Sequence, residues 1–313
     1  MKLLPKLLAA AAGLTLASSC FSFELQHADG TLNLEQQPRR IVSFDLGHLD
    51  TLNTLGIDVV GVPRSVYSGT LARFSDAPVM GTLFEPDYAA LAQQAPDLII
   101  AGRRSLPAMP RLGAMAPTVS FAHDDAHFMR SVEASVTAIG QAWERQAQAQ
   151  SALDALTQAV DALRTINRGK TGALLFIIND HVIPHAPGDR FGYVHEFSGL
   201  APVLPARQPG ELGQPRPGAG TPEAEAAARK RADEVAAIAA ADPDWLVILD
   251  RGAINDGEKT AAATLARHPV LSRTRAVREG KVYYADPNAW YVVTGGVSNL
   301  TAIARDMATA MQD

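Results

Sequence analysis

The sequence predicts an α/β protein of two similar lobes, each built on a central parallel sheet, joined by one long α-helix and enclosing a ligand cleft. Three observations predict it. The first is a segment that occurs twice, as Ala95-Pro96-Asp97-Leu98-Ile99-Ile100-Ala101-Gly102-Arg103-Arg104 and as Asp242-Pro243-Asp244-Trp245-Leu246-Val247-Ile248-Leu249-Asp250-Arg251. Each copy is a Pro-Asp turn, an apolar run too short for a helix, and an arginine. The spacing from Asp97 to Arg104 equals that from Asp244 to Arg251. An apolar run bounded by turn residues reads as a strand buried on both faces, as in parallel sheets. The second observation is that such runs alternate with amphipathic stretches in both halves, a rhythm that requires parallel strands. The third is the run from Ala142 to Ile166, rich in Ala, Gln and Leu and free of Gly and Pro. At 1.5 Å per residue it makes a rod of about 40 Å, which suits a connector better than part of either core. The lobes are expected over 23–141 and 169–313, with the connecting helix over 142–168. Ligands of open α/β sheets bind beyond the carboxyl ends of the strands, where both arginines fall.

The elements follow in order. Residues 23–40 read as an entry strand and turn, and Ile41 to Phe44 as a short buried strand. Leu46, Leu49, Leu52 and Leu55 stand at helical spacing, Gly56 stops that helix, and Val59 to Val62 is a further strand. Asp87 caps a helix that runs through Ala95, and Thr118 to Phe121 follows the first arginine strand. Between His127 and Asn167 only Gly140 interrupts helix-forming residues. The second half opens on a strand over Gly172 to Ile178, then a loop carrying Gly188 to Gly192 and a short helix from Val194 to Ser198 closed by Gly199. A Pro/Gly-rich loop over 204–222 precedes an Ala-rich helix from Glu223 to Ala241. After the second arginine strand come a helix around Ala261 to Arg267, a strand over Lys281 to Ala285 and a terminal helix from Asn299 to Met311.

Composition narrows the function. A formal net charge of −5 and the lack of any Lys/Arg-rich block argue against general nucleic-acid binding. Lys2 and Lys6, the apolar stretch Leu7 to Leu16 and the small residues after it form a secretory signal peptide over 1–22, cut after Ser22. Cys20 leaves a lipoprotein alternative open. If the cut falls beyond it, the mature chain has no cysteine for disulfides, thiolate metal sites or nucleophilic catalysis. No later segment is long and apolar enough to cross a membrane.

Several segments together carry a resemblance: Phe44-Asp45 through Leu55-Gly56, Gly61-Val62-Pro63-Arg64-Ser65, the first Pro-Asp strand through Ser105, Arg190-Phe191-Gly192, and Asp286-Pro287-Asn288-Ala289-Trp290-Tyr291. Their order along nearly the whole mature chain resembles the class III (helical-backbone) periplasmic binding proteins of ferric-siderophore ABC importers, in the branch that binds catecholate complexes. The resemblance implies two Rossmann-like lobes and no enzymatic activity. It also implies a triad of arginines around an anionic iron complex, here Arg104, Arg190 and Arg251, with Arg103 the alternative to Arg104. Guanidinium groups stay charged, donate in a planar fork and stack on aromatic rings, which suits a tris-catecholate. Tyr291, with Trp290 beside it, takes the place of a cleft tyrosine that can also ligate iron. The family's partner histidine has no counterpart, because no histidine occurs between Glu196 and Arg267.

Further expectations follow from the same resemblance: no cofactor, a monomer in the periplasm, a ferric siderophore as ligand and an inner-membrane ABC permease as partner. The glutamates that dock such a permease are replaced by Ala89 and Ala236, with Glu85 and Glu234 as nearby substitutes. Two alternatives stay open: a haem or corrinoid receptor of the same architecture, and an exported metal-dependent enzyme built on His123-Asp124-Asp125-Ala126-His127. In that cluster Asp at a helix start reads first as capping. His195 reads as structural, and Tyr67, Tyr88 and Tyr193 as packing or cleft aromatics.

Overall fold

The computed structural model describes residues 23–121, 124–208, 211 and 217–312, so the expected signal peptide and Cys20 lie outside the described residues. An antiparallel hairpin, β1 (Phe23–His27) and β2 (Gly30–Leu34), leads into a parallel sheet of β3 (Ile41–Ser43), β4 (Leu98–Ile100) and β5 (Thr118–Val119). Between them lie α1 (Leu46–Thr54), α2 (Tyr88–Gln94) and the short α3 (Met109–Gly113). The expected strand over Val59 to Val62 is reduced to single bridges, Val42 to Gly61 and Val62 to Val79, which continue the sheet past β3.

Two helices, α4 (Phe128–Ala142) and α5 (Gln146–Ile166), join this sheet to the second. The second sheet has the order β10 (Val282–Ala285), β9 (Trp245–Asp250), β6 (Thr171–Ile178), β7 (His181–His185), with β8 (Ala201–Pro202) beside the start of β6. Its helices are α6 (Tyr193–Ser198), α7 (Pro222–Ala241), α8 (Ala261–Arg267), α9 (Arg275–Arg278) and the terminal α10 (Val297–Ala310). Among the described residues no helix is long and apolar enough to cross a membrane.

The connecting helix expected over 142–168 begins later, at Gln146, and a break separates it from α4. Helix α4 stops at Trp143 and α5 starts at Gln146, with Glu144 left-handed at φ 56°. The Arg145 amide donates to the Gly140 carbonyl, a six-to-one closure that ends α4 without the usual glycine. Trp143 turns into the core, edge-on to Phe23 at 4.8 Å, which fixes the break. Gly140 therefore has a role other than breaking the helix: a Cβ there would come within 2.5 Å of the Ala149 Cβ, where α5 crosses α4. What remains, α5, has 21 residues and spans about 31 Å. It buries Leu156, Val160 and Leu163 in a cluster that also takes in Met307 and Met311 at the C-terminal end. That cluster holds residues of both sheets, among them Ile41 and Leu98 from the first and Phe176 and Trp245 from the second.

The repeated Pro-Asp segment has a structural explanation. The residue before each proline, Ala95 or Asp242, is left-handed (φ 46° and 47°) and ends the preceding helix. Each aspartate then ties its strand to the start of the neighbouring one. Asp97 accepts from the Arg39 and Arg40 amides, both at 2.8 Å, at the entry to β3. Asp244 accepts from the Thr171 amide at 2.8 Å, at the entry to β6. The same device sets the register of β4 on β3 and of β9 on β6, so both strands deliver their arginines at corresponding heights.

Candidate functional site

Tyr291 is the hub of the site. The guanidinium carbons of Arg104, Arg190 and Arg251 lie 5.3, 5.6 and 5.3 Å from its ring centroid. Three residues far apart in sequence thus enclose one ring, at distances where a cation is attracted to an aromatic face. Phe191 stacks on the same ring, with centroids 5.6 Å apart and planes 22° apart.

Each arginine is held differently. Arg104 reaches across to the second half, donating to the Tyr291 carbonyl at 2.6 Å and to the Val292 carbonyl at 3.1 Å. Burial pulls its pKa below the ordinary value, opposed by Tyr291 and Asp45. Arg190 is also half-buried, over the Phe191 ring at 5.0 Å, and its Nε has no hydrogen-bond partner among the described residues. Burial and the nearby charges of Arg104 and Arg103 lower its pKa. Arg251 is exposed and donates from Nε to the Tyr291 hydroxyl at 3.3 Å. Arg103 lines the same small cavity as Arg104, but Asp125 holds its guanidinium in two bonds of 2.9 and 3.0 Å, so its charge is already matched.

The turn that carries Arg190 is braced from behind. The Asp189 carboxylate accepts from the Ala186 amide at 2.9 Å and from Arg207 Nε at 3.0 Å, while Arg207 forks onto Glu234 of α7. The turn is so tight that a Cβ at Gly192 would sit 2.1 Å from the Ala186 carbonyl oxygen. Glu234 is therefore not the exposed docking charge expected from the sequence, since its side chain is only 14% accessible and is engaged by Arg207. Glu85 is exposed in a turn closed by the Thr82 hydroxyl.

Trp290 also departs from expectation. A π-helical turn, Asn288–Val293, sends Tyr291 toward the arginines and Trp290 inward. Trp290 is 1% exposed and stacks on Tyr193 at 5.8 Å, so it anchors Tyr291 and does not face a ligand. Tyr193 itself is buried between Trp290 and Phe128. Tyr88 lies under Arg111, and Tyr67 donates to the Pro63 carbonyl. His195 is buried on α6, its ring nitrogen 3.4 Å from the Leu200 carbonyl. His181 and His185 lie on β7, where a loop was expected. Asn179 and Asp180, both with positive φ, make the two-residue turn of this hairpin, and an Asn-Asp pair between apolar runs is the sequence signal for it.

His123 lies outside the described residues. Its neighbour Asp124 accepts from the Ala126 amide and pairs with His127 at 2.8 Å, which is turn-and-helix-start chemistry. Among the described residues no group of three or more His, Cys, Asp or Glu is arranged to hold a metal.

Residues 41–289 match the model of the periplasmic binding protein family, Peripla_BP_2. The chain belongs to this family. It is similar to the petrobactin-binding protein YclQ of Bacillus subtilis, at 26% identity over 283 residues covering 88% of this chain and 84% of the relative. It is similar also to the ferric-anguibactin-binding protein FatB of Vibrio anguillarum, at 23% identity over 92% of this chain and 87% of the relative. The crystal structure of YclQ superimposes with a TM-score of 0.78 and 25% identity, covering 93% of this chain and 98% of that one. The periplasmic catecholate-siderophore binding protein VctP of Vibrio cholerae shares the fold, with a TM-score of 0.72 at 24% identity over 91% and 99% of the two chains. Family members of this kind are binding proteins of ABC importers, and the mixed α/β fold with parallel sheets matches theirs.

Proposed function

We propose that this chain captures an anionic ferric siderophore of the catecholate type in the periplasm and delivers it to the permease of an ABC importer, acting as a monomer without enzymatic activity. The observation that carries this reading is the set of three guanidiniums around the Tyr291 ring. Cations brought this close repel one another until an anion arrives, and a tris-catecholate offers both negative charge and aryl faces. Relatives whose names record petrobactin and ferric anguibactin as ligands support the same class. Arg104, Arg190 and Arg251 are the proposed ligand cations and Tyr291 their stacking platform. For a siderophore that leaves iron coordination sites open, the Tyr291 oxygen is the proposed protein ligand. Glu85 remains the proposed contact for the permease on the first half.

Titration of the intrinsic tryptophan fluorescence with a ferric tris-catecholate, a ferric hydroxamate, haem and a corrinoid tests the assignment. The catecholate is expected to bind tightest, with an affinity that falls as salt rises. Binding of haem or a corrinoid without binding of the catecholate would sink it.

The platform itself carries a second expectation. Burial raises the Tyr291 pKa, but Arg251, Arg190 and Arg104 together more than reverse this, so the phenol ionises below the ordinary tyrosine value of about 10. The absorbance change at 295 nm that is lost in Tyr291→Phe should therefore appear at lower pH than in free tyrosine. In Arg251→Ala it should move upward, because the nearest stabilising cation is gone. An unshifted transition in both proteins would contradict the geometry.

A further inference from the structure

The space around Tyr291 is unevenly divided. On the Arg104 and Arg190 side the cavity is only about 30 Å³, little more than a water molecule needs. On the Arg251 side a groove of about 1110 Å³ opens between the tip of the β6–β7 hairpin and α7, with Arg251 and Tyr291 in its wall. That volume exceeds what a drug-sized ligand usually fills. A ligand seated on Tyr291 therefore has its room to extend along α7 and not deeper between the sheets.

The groove face of α7 explains the room. Ala228, Ala232 and Ala236 recur at helical spacing along it with Val235 beside them, so successive turns offer mainly small apolar side chains to the space. In the sequence Ala228 and Ala232 read as part of an Ala-rich helix, and Ala236 stands where the resemblance places a permease-docking glutamate. Between them stands Arg231, which is exposed and has no carboxylate partner among the described residues. Opposite, His268 accepts the Val270 and Leu271 amides on Nδ1 at 3.4 and 3.3 Å, which assigns its proton to Nε2 as a donor. The one carboxylate in the wall, Asp180, already accepts from the Thr264 hydroxyl at 2.6 Å and lies 3.7 Å from Arg267. The groove thus has a mostly apolar floor, with a cation at the Tyr291 end and a second cation plus a neutral donor farther along.

We propose that this groove is a second subsite, in which Arg231 on the Ala228–Ala232–Ala236 face of α7 receives an anionic arm of a ligand whose iron-bearing head rests on Tyr291. The ligand class is a siderophore with an aliphatic or aryl arm ending in a carboxylate or a comparable anion. This rests on the reading of the Tyr291 site as a ferric-siderophore site, and the test separates the two. Two synthetic ferric tris-catecholates are titrated by calorimetry, one bare and one bearing a hexanoate arm, against the wild-type chain, Arg231→Ala and Ala232→Phe. Wild type is expected to prefer the arm-bearing complex by at least tenfold. Arg231→Ala should reduce that preference to threefold or less by removing the charge, and Ala232→Phe should do so by filling the floor. The bare complex, which does not reach Arg231, should bind all three proteins alike. A wild-type chain without preference, or variants that retain it, overturns the subsite while leaving the Tyr291 reading intact. Failure of wild type to bind either complex overturns both. Because Ala232→Phe adds bulk to a helix face, its thermal midpoint is measured alongside, and Arg231→Ala decides the matter if the phenylalanine variant does not fold.

Discussion

Replacing Arg190 and Arg251 together by alanine should weaken binding of a ferric tris-catecholate at least a hundredfold, about 2.7 kcal/mol. Both guanidiniums lie within 5.6 Å of the Tyr291 centroid, so both would face an anion stacked there. The loss should be accompanied by a smaller salt dependence, because two of the charges that salt screens are gone. It should not be accompanied by a loss of stability. Arg190 is half-buried, its Nε has no partner among the described residues, and burial together with neighbouring cations lowers its pKa, so its removal relieves the empty protein. The thermal midpoint of the double variant should equal or exceed that of wild type. Affinity within threefold of wild type would show that the arginine cluster is not where the ligand sits.

Asp50→Ala should lower stability by about 3 kcal/mol, which for a chain of this size is roughly 6 °C in Tm. Asp50 lies on α1 and is fully buried, yet most of the hydrogen bonds it accepts come from the far end of the chain. It accepts from the Ser298 amide at 2.9 Å, the Asn299 amide at 3.1 Å and the Ser298 hydroxyl at 2.7 Å. Those amides belong to the first turn of α10, where backbone donors have no partner within the helix. Alanine leaves three donors unsatisfied in a buried place. Asp50→Asn separates charge from hydrogen bonding. Burial raises the Asp50 carboxyl above its ordinary value, opposed by hydrogen bonds from Thr70, Ser298 and Asn299. A carboxyl whose folded pKa is raised contributes stability that is present below its unfolded pKa and lost as pH rises through the folded one. The asparagine variant should lack that part of the slope. Denaturant melts of the three proteins across the acid range measure both effects, and a wild-type midpoint in Asp50→Ala would refute the cross-chain cap.

Much of this was legible in the sequence, and unevenly so. The Pro-Asp repeat announced two equivalent strands because the aspartates do the same job twice, at Arg39–Arg40 and at Thr171. Arg104 and Arg251 could be read from that repeat alone. Arg190 follows β7, a strand that the sequence reads as part of a loop, and only the family resemblance points to it. The interruption expected at Gly140 falls instead at residues 143–145, because Glu144 takes a left-handed conformation that the sequence reserves no glycine for. Trp290 and Tyr291 looked equivalent as neighbours. The wide π-helical turn separates them, burying one and presenting the other, and no local pattern encodes that. Glu234 looked like a free helix charge because Arg207, its partner, sits 27 residues earlier in an irregular segment.

Among the described residues, two side chains of the first half hold backbone of the second: Asp50 holds the start of α10, and Arg104 holds the carbonyls of residues 291 and 292. Both exist before any ligand arrives. The turn that presents Tyr291 is therefore pinned from its own backbone by Arg104 and, just beyond it, by the Asp50 anchor on α10, so the ring's place is set by residues of both halves.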